Sequence, residues 1–302
     1  AAMGAAAAGS YILTSLAMTS LTKYAASVWN FPGSSGLLLV ECIATVAVLW
    51  MQAPRCRPYR PFSTSVVRHL PAVTLAKALN MYLSFVAMRR TSLPVYNVLK
   101  RLQPVYALLQ DRLVRGTHAS GLDLAGVALM CLGTVATGSG DLDFDLVGYG
   151  VALAAAACQS LYLVLARHAQ DNVSDMTAVD LLFYTAFYNC AIFLPLTCLE
   201  MGEIVEFLQG PGQLVNLCYF LIPYVLLGAL LNYTTFWCTA ATSPLTTAVA
   251  GSAKGILSTI FGFLQFGAHL TPVGWLGLAC NTLGGIVYTA AQQVKKARGK
   301  RS

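Results

Sequence analysis

Five ionisable side chains fall well inside apolar stretches of this sequence: Glu41, Lys77, Lys100, Arg101 and Lys254. An ionised group in hydrocarbon surroundings costs at least ~2.5 kcal/mol and normally faces a cavity, where water or a partner offsets the cost. Four cations stand here against one anion, whereas a purely structural network would balance its charges. A bound polyanion such as a diphosphate would supply the missing negative charge, and this imbalance points to the class of ligand. The neighbours of the cations are polar at helical spacing. Lys77, Asn80 and Ser84 share one face, as do Tyr96, Lys100 and Gln103, with Asn97 and Arg101 adjacent. Thr247, Gly251, Lys254, Ser258 and Gly262 form a small, polar stripe in which glycine would let a ligand approach the backbone.

Each charge also has a plainer reading. Glu41 and Lys77 could neutralise each other across neighbouring helices. Arg101 could meet phospholipid headgroups or helix carbonyls, and Lys100 could snorkel towards the start of its stretch. Lys254 has the fewest alternatives: about 15 Å of helical rise separates it from Pro244, too deep for easy snorkelling. Tyr184, Tyr188 and Asn189 could be packing residues and interhelical glue, although a bare amide such as Asn189 is costly in lipid. Arg89 and Arg90 could line a mouth of the cavity. No spacing of Ser, His and Asp assembles a catalytic triad, and no CxxC or Cys/His pattern suggests a metal or other cofactor. Eight of the nine cysteines lie in apolar stretches, where Cys acts as a small apolar residue; Cys56 is expected in a loop.

The elements that must position these side chains follow from composition. Of 302 residues, 57% are hydrophobic and only 10% charged, against about 25% charged in soluble domains. The apolar residues form blocks of about 20, enough to cross a hydrocarbon core as helix. Backbone polar groups must pair internally in lipid, and the alternating pattern of a barrel is absent. The expectation is an all-α membrane protein with ten transmembrane helices. They run over Ala5–Val28, Ser34–Met51, Val66–Met88, Pro94–Val114, Gly121–Ser139, Val147–Ala169, Ala178–Met201, Leu214–Ala240, Pro244–Phe266 and Pro272–Val294. Gly202–Gln213 is open to being a short interfacial helix. Ala1–Ser10 lacks the basic region of a cleavable signal, and the missing initiator Met suggests trimming.

Lys/Arg asymmetry sets the orientation. Arg55, Arg57, Arg60, Arg68, Arg112, Arg115, Arg167 and the tail Lys295, Lys296, Arg298, Lys300 and Arg301 fall on the side of the termini. The other side receives Arg89 and Arg90 beside Asp141, Asp143, Asp145, Glu200, Glu203 and Glu206. Both termini are therefore expected in the cytosol, and the net charge of +7 is topogenic rather than a sign of nucleic-acid binding. An offset of 151 residues aligns Gly126–Gly133 with Gly277–Gly284, and Ser92 with Ser243. Chance similarity of Gly/Leu-rich helices is the alternative. A true repeat would give halves of about 1–140 and 147–302, each with five spans. An odd number inserts the second half upside down, as in many carriers that bind at the midplane. The glycines of the fifth and tenth spans are read as helix-packing residues.

The chain resembles the nucleotide-sugar transporters of the drug/metabolite transporter superfamily, nearest the UDP-sugar branch, over nearly its whole length. The resemblance rests on 92-SLPVYNVLKR-101, 137-TGSGDLDFDLVGY-149 and 187-FYN-189, and above all on 232-NYTTFWCT-239, 243-SPLTT-247 and 251-GSAK-254. It implies that Tyr188 and Asn189 contact the nucleobase, that Gly251, Ser252 and Lys254 hold phosphate and sugar, and that Lys100 is a second phosphate ligand. Lys77, Tyr96, Asn97, Arg101 and Asn232 complete the expected substrate-binding set. Cys190, and Ala253 before Lys254, depart from the GDP-mannose pattern and argue against a guanine nucleotide. The resemblance further implies antiport of a cytosolic UDP-sugar against luminal UMP in Golgi or ER membrane, with membrane lipid as the other partner. Homodimerisation stays open. The rivals are a sugar-phosphate/phosphate exchanger and a non-transporting membrane scaffold.

Overall fold

The computed structural model describes the backbone of residues 2–56, 64–115, 120–172, 176–241, 244–266 and 269–299, with most of their side chains. These residues form helices α1 (Ala2–Lys23, running into a π-turn at Tyr24–Val28), α2 (Ser34–Cys56), α3 (Thr64–Arg90), α4 (Leu93–Lys100), α5 (Gln103–Arg115) and α6 (Gly121–Ser139). They continue as α7 (Leu146–Asn172), α8 (Ala178–Leu208), α9 (Gln213–Ala241), α10 (Pro244–Phe266) and α11 (Pro272–Gly299). Among the described residues the one extended pairing is an isolated bridge between Asp141 and Leu270. Among the described residues, seven helices contain stretches long and apolar enough to cross a membrane: Ser34–Met51, Leu70–Arg90, Gly121–Ser139, Leu146–Gln170, Val179–Leu208, Gln213–Leu231 and Pro272–Ala291.

The helix bounds depart from the sequence expectation in two informative places. The stretch Pro94–Val114 is not one helix: α4 stops at Lys100 and α5 starts at Gln103. Pro104 has no N–H to donate to the carbonyl of Lys100, so the ladder breaks there and the chain turns at Arg101–Leu102. The segment after Met201 is not a separate interfacial helix, because α8 continues through Glu203 and Glu206 to Leu208. Cys56, expected in a loop, is the last residue of α2. Two helix starts carry side-chain caps. Ser120 with Asp123 and Thr177 with Asp180 form reciprocal capping boxes at the starts of α6 and α8, each satisfying two orphan backbone donors. Asp123 is fully buried, and the capping box supplies its donors.

The principal helix pairs are α6 with α11, α3 with α7, α2 with α8 and α1 with α9. The short α4 rests on α10 and α7, and α10 also meets α1. The α6–α11 contact is close because glycine faces backbone. A Cβ on Gly133 would overlap the backbone of Gly277 and Asn281, and one on Gly277 the backbone of Gly133 and Thr137. Asn281, fully buried, donates to the carbonyl of Met130 at 3.2 Å and to the Thr134 hydroxyl at 3.0 Å across the same seam.

The end of the bundle remote from the termini is densely packed. Trp29 stacks on Phe31 with ring centroids 5.2 Å apart, and both meet Phe207, while Phe220 stacks on Tyr224. This cluster is continuous with Phe85, Met88, Leu93, Val95, Tyr96 and Leu99. Lys23 is buried here and donates to the carbonyls of Met88 and Thr91 at 2.5 and 2.6 Å, closing the C-terminal end of α3. Arg89 donates to the carbonyl of Phe31, and the Glu200 carboxylate accepts from the Ser35 backbone N–H at 2.8 Å. Arg90 pairs with Asp145 at 3.2 Å, and that neighbour holds the Asp145 carboxyl below its usual range.

The close α6–α11 seam generates a first test. Gly133→Val should lower the thermal unfolding temperature of the purified protein, by the equivalent of about 1–3 kcal/mol for overpacking. Gly150→Val, at a site where a Cβ meets nothing within 4 Å, should leave it nearly unchanged. Equal melting of the two variants would contradict the packing role of the glycines.

Candidate functional site

A cavity of about 770 Å³ opens at the break between α4 and α5. Its walls come from α1 (Tyr11, Thr19), from the break itself (Tyr96, Asn97, Lys100, Arg101, Gln103), from α7 (Gln159), from α10 (Lys254, Gly255, Ser258) and from α11 (Thr282, Tyr288). Lys100, Arg101 and Lys254 all line it, and among the described residues no Asp or Glu does. The break explains why two cations and an amide arrive together. Ending α4 at Lys100 places the polar residues of its last turn at an internal helix terminus instead of a lipid-facing surface.

The local bonds are specific. Lys100 Nζ donates to the Tyr96 hydroxyl at 3.1 Å and lies 5.3 Å from the centroid of that ring, a distance at which the ring face attracts a cation. Asn97 Nδ2 donates to Ser258 Oγ at 3.0 Å, joining α4 to α10. The Arg101 guanidinium donates to Thr282 Oγ1 at 2.6 Å and to Thr259 Oγ1 at 3.2 Å, reaching α11 and α10. All of these partners are neutral. Among the described residues the ion pair formed is Arg90–Asp145, and neither partner lines this cavity. The cavity therefore holds fixed positive charge that the surrounding protein does not neutralise, in a size range common for small-ligand sites.

The structure thus brings together five of the expected residues: Tyr96, Asn97, Lys100, Arg101 and Lys254. Three others form a separate group and are not among those lining the cavity. Lys77 donates to Thr185 Oγ1 at 2.9 Å and lies over the Tyr162 ring. Asn189 is fully buried, with Nδ2 3.7 Å from Met81 Sδ and Oδ1 without a hydrogen-bond partner. Tyr188 stands beside it, with its ring against Phe187. Glu41, read as a candidate partner of Lys77, accepts from the Tyr224 hydroxyl at 3.2 Å and lies close enough to Lys77 for the two charges to attract without a direct ion pair. The side chains of Asn232, Gly251 and Ser252 lie outside the described residues.

Some functional positions escaped the sequence reading. Gln159 lines the cavity with a buried Oε1 that has no partner; a lone amide in the run 152-ALAAAACQSLYLVL-165 was its signal. Lys23 is a further buried cation, but two carbonyls satisfy it. Arg89 and Arg90, expected at a cavity mouth, are bound to Phe31, Ser34 and Asp145.

The uncompensated charge makes a direct prediction. Inorganic diphosphate should raise the melting temperature of the wild-type protein, since a ligand bound by the folded state stabilises it by mass action. Lys254→Ala or Lys100→Ala should each weaken that binding by roughly 10- to 100-fold, the loss of one charge-assisted contact. Identical shifts in wild type and both variants would exclude these lysines as ligands.

Comparison with known proteins bears on what this cavity serves. A model of the Triose-phosphate Transporter family matches residues 6–289. The UDP-galactose/UDP-glucose transporter 7 of Arabidopsis thaliana is 30% identical over 303 residues, covering 97% of this chain and 91% of that protein. A UDP-N-acetylglucosamine transporter of the same plant is 25% identical over 87% of the chain and 80% of its own length. A GDP-mannose transporter of Aspergillus clavatus is 24% identical over 96% of the chain and 81% of its own length. A crystal structure 16% identical in sequence superposes with a TM-score of 0.53, covering 96% of each chain, and so shares the fold. By motif and by match along nearly its whole length, the chain belongs to the Triose-phosphate Transporter family of the drug/metabolite transporter superfamily, with nucleotide-sugar transporters among its relatives.

Proposed function

We propose that the protein is a nucleotide-sugar antiporter that exchanges a cytosolic UDP-sugar for luminal UMP by alternating access. The observation that carries this reading is a cavity lined by Lys100, Arg101 and Lys254 with no carboxylate among its described lining residues. A pyrophosphate group would offset that charge with charge-assisted hydrogen bonds, which are roughly twice as strong as neutral ones. UMP carries the same kind of charge, so both exchanged species could use one site. Ser258, Gln159 and the tyrosines at positions 11, 96 and 288 offer partners for sugar hydroxyls and a base. The relative named as a UDP-galactose/UDP-glucose transporter is 30% identical against 24% for the GDP-mannose transporter, which supports uracil over guanine.

In this reading the chain has ten spans in two inverted five-helix halves, with α4 and α5 together making the fourth. The helix pairs support the duplication, because exchanging the halves returns the same principal pairs. With α1, α2, α3, α4/α5 and α6 exchanged for α7, α8, α9, α10 and α11, the α3–α7 pair becomes α9–α1. By the same exchange α4–α7 becomes α10–α1, and α6–α11, α2–α8 and α4–α10 map onto themselves. The 151-residue offset agrees: Asn281 bonds to Met130, its own counterpart, and Gly133 abuts Gly277, the counterpart of Gly126. Both termini face the cytosol of a Golgi or ER membrane, and the aromatic end around Trp29 and Phe31 faces the lumen.

The resemblance assigns Tyr188 and Asn189 to the base, although neither is among the residues lining the cavity in this structure. The unpartnered Asn189 Oδ1 is an acceptor suited to the uracil N3–H, and its Nδ2, held only by the weak acceptor Met81 Sδ, could donate to a uracil carbonyl. Asn232, Gly251 and Ser252 complete the sugar and phosphate contacts, and Lys77 is a peripheral cation. The family description favours one rival, a sugar-phosphate/phosphate exchanger, which would ignore the base.

Uptake of labelled UDP-galactose into liposomes should rise when they are preloaded with UMP. Uptake equal to that of protein-free liposomes for every UDP-sugar would sink the reading. Asn189→Ala should reduce UDP-sugar uptake about 10-fold or more, on the scale of one lost buried polar contact. Full retention would favour the sugar-phosphate exchanger.

A further inference from the structure

Resting on the exchange reading above, we infer that Arg101 is the positioning residue through which a bound anion opens the seal beyond the cavity. The seal is the face between α4 and the second half of α10. There Gly262 admits the turn that starts α4, since a Cβ at Gly262 would lie 3.0 Å from Pro94 and 3.1 Å from Leu93. One turn deeper, Asn97 donates to Ser258. Arg101, one turn further along and lining the cavity with Asn97 and Ser258, completes the line, with one nitrogen on Thr259 of α10 and the other on Thr282 of α11. Beyond this line towards Trp29 and Phe31 the side chains pack without a break.

The chemistry of the latch makes it displaceable. Each threonine hydroxyl gives its proton to its own helix, Thr259 to the Gly255 carbonyl at 2.9 Å and Thr282 to the Leu278 carbonyl at 2.8 Å. Each oxygen therefore meets Arg101 as a neutral acceptor. A guanidinium has five N–H donors and prefers the planar, bidentate geometry of a phosphate. A phosphate in the cavity offers charged acceptors to a group that now holds neutral ones, and the charged bond is roughly twice as strong. The anion thus draws Arg101 from α10 and α11 towards itself. Asn97–Ser258 and the Gly262 contact are then left to hold the seal alone. With the cavity empty, Arg101 returns to the threonines and the seal holds. This arrangement would make movement conditional on cargo, the requirement for strict exchange.

The test is the ratio of labelled UDP-galactose uptake into UMP-loaded liposomes over empty ones. Thr259→Val with Thr282→Val removes both acceptors while keeping shape and the Arg101 charge. It should raise uptake into empty liposomes and bring the ratio towards one, without raising KM. Arg101→Gln should lower the ratio and also raise KM several-fold, because a cation leaves the cavity. Arg101→Lys, which keeps the charge but not the two-armed fork, should restore KM more than the ratio. A threonine double variant that elutes and melts like wild type yet keeps the wild-type ratio would overturn the inference. So would Arg101→Gln losing loaded and empty uptake in the same proportion. A wild-type ratio of one would instead overturn the exchange reading itself.

Discussion

Fixed positive charge inside an apolar helical bundle is the constraint on which the rest of this structure turns. Lys100, Arg101 and Lys254 share one cavity lined, among the described residues, by no carboxylate, and hydrocarbon offers none. Such charges persist only where water or a ligand can reach them, so the bundle must be hollow at that level. The hollow is made by interrupting a helix. Pro104 ends the ladder of α4, and the polar residues of its last turn gather at an internal terminus. Loss of backbone bonding is tolerated there because the broken segment borders a cavity and not lipid.

A hollow bundle needs rigid walls, and two kinds of contact provide them. Along the α6–α11 seam, glycine against backbone brings the helices close enough for Asn281 to reach the carbonyl of Met130. In lipid, where apolar side chains gain little by leaving hydrocarbon for each other, such close packing is a main source of cohesion. At the end remote from the termini, aromatic rings fill the space between α1, α8 and α9. Two polar side chains in that region serve helix ends. Lys23 serves the carbonyls of Met88 and Thr91, and Glu200 the N–H of Ser35.

The contact between α4 and α10 differs from both. Its bonds join neutral or singly charged side chains across a cavity wall, Asn97 to Ser258 and Arg101 to Thr259. Hydrogen bonds of this kind contribute about 1 kcal/mol each, or somewhat more with one charged partner, far less than a packed aromatic core. A carrier that moves needs an interface that can be parted at modest cost, and the weak one lies beside the ligand charge.

Sequence by itself determined the class, and it did so through composition: long apolar blocks with few charges admit only membrane helices, because unpaired backbone groups cannot stand in lipid. It also placed most helix ends, as with Gly121–Ser139 and Pro244–Phe266, where Ser, Thr, Gly and Pro act locally. The cationic residues were visible one by one for the same reason, since each is conspicuous in an apolar run. Tertiary structure alone decided which of them act together. Lys77 and Lys254 are equally conspicuous in the sequence, yet Lys77 meets Thr185 while Lys254 joins Lys100 and Arg101. Gln159 acquires meaning only because α7 presents it to the same cavity. Local chemistry fixes where a helix starts and what it carries; which faces meet depends on packing between residues more than a hundred positions apart, such as Gly133 with Gly277.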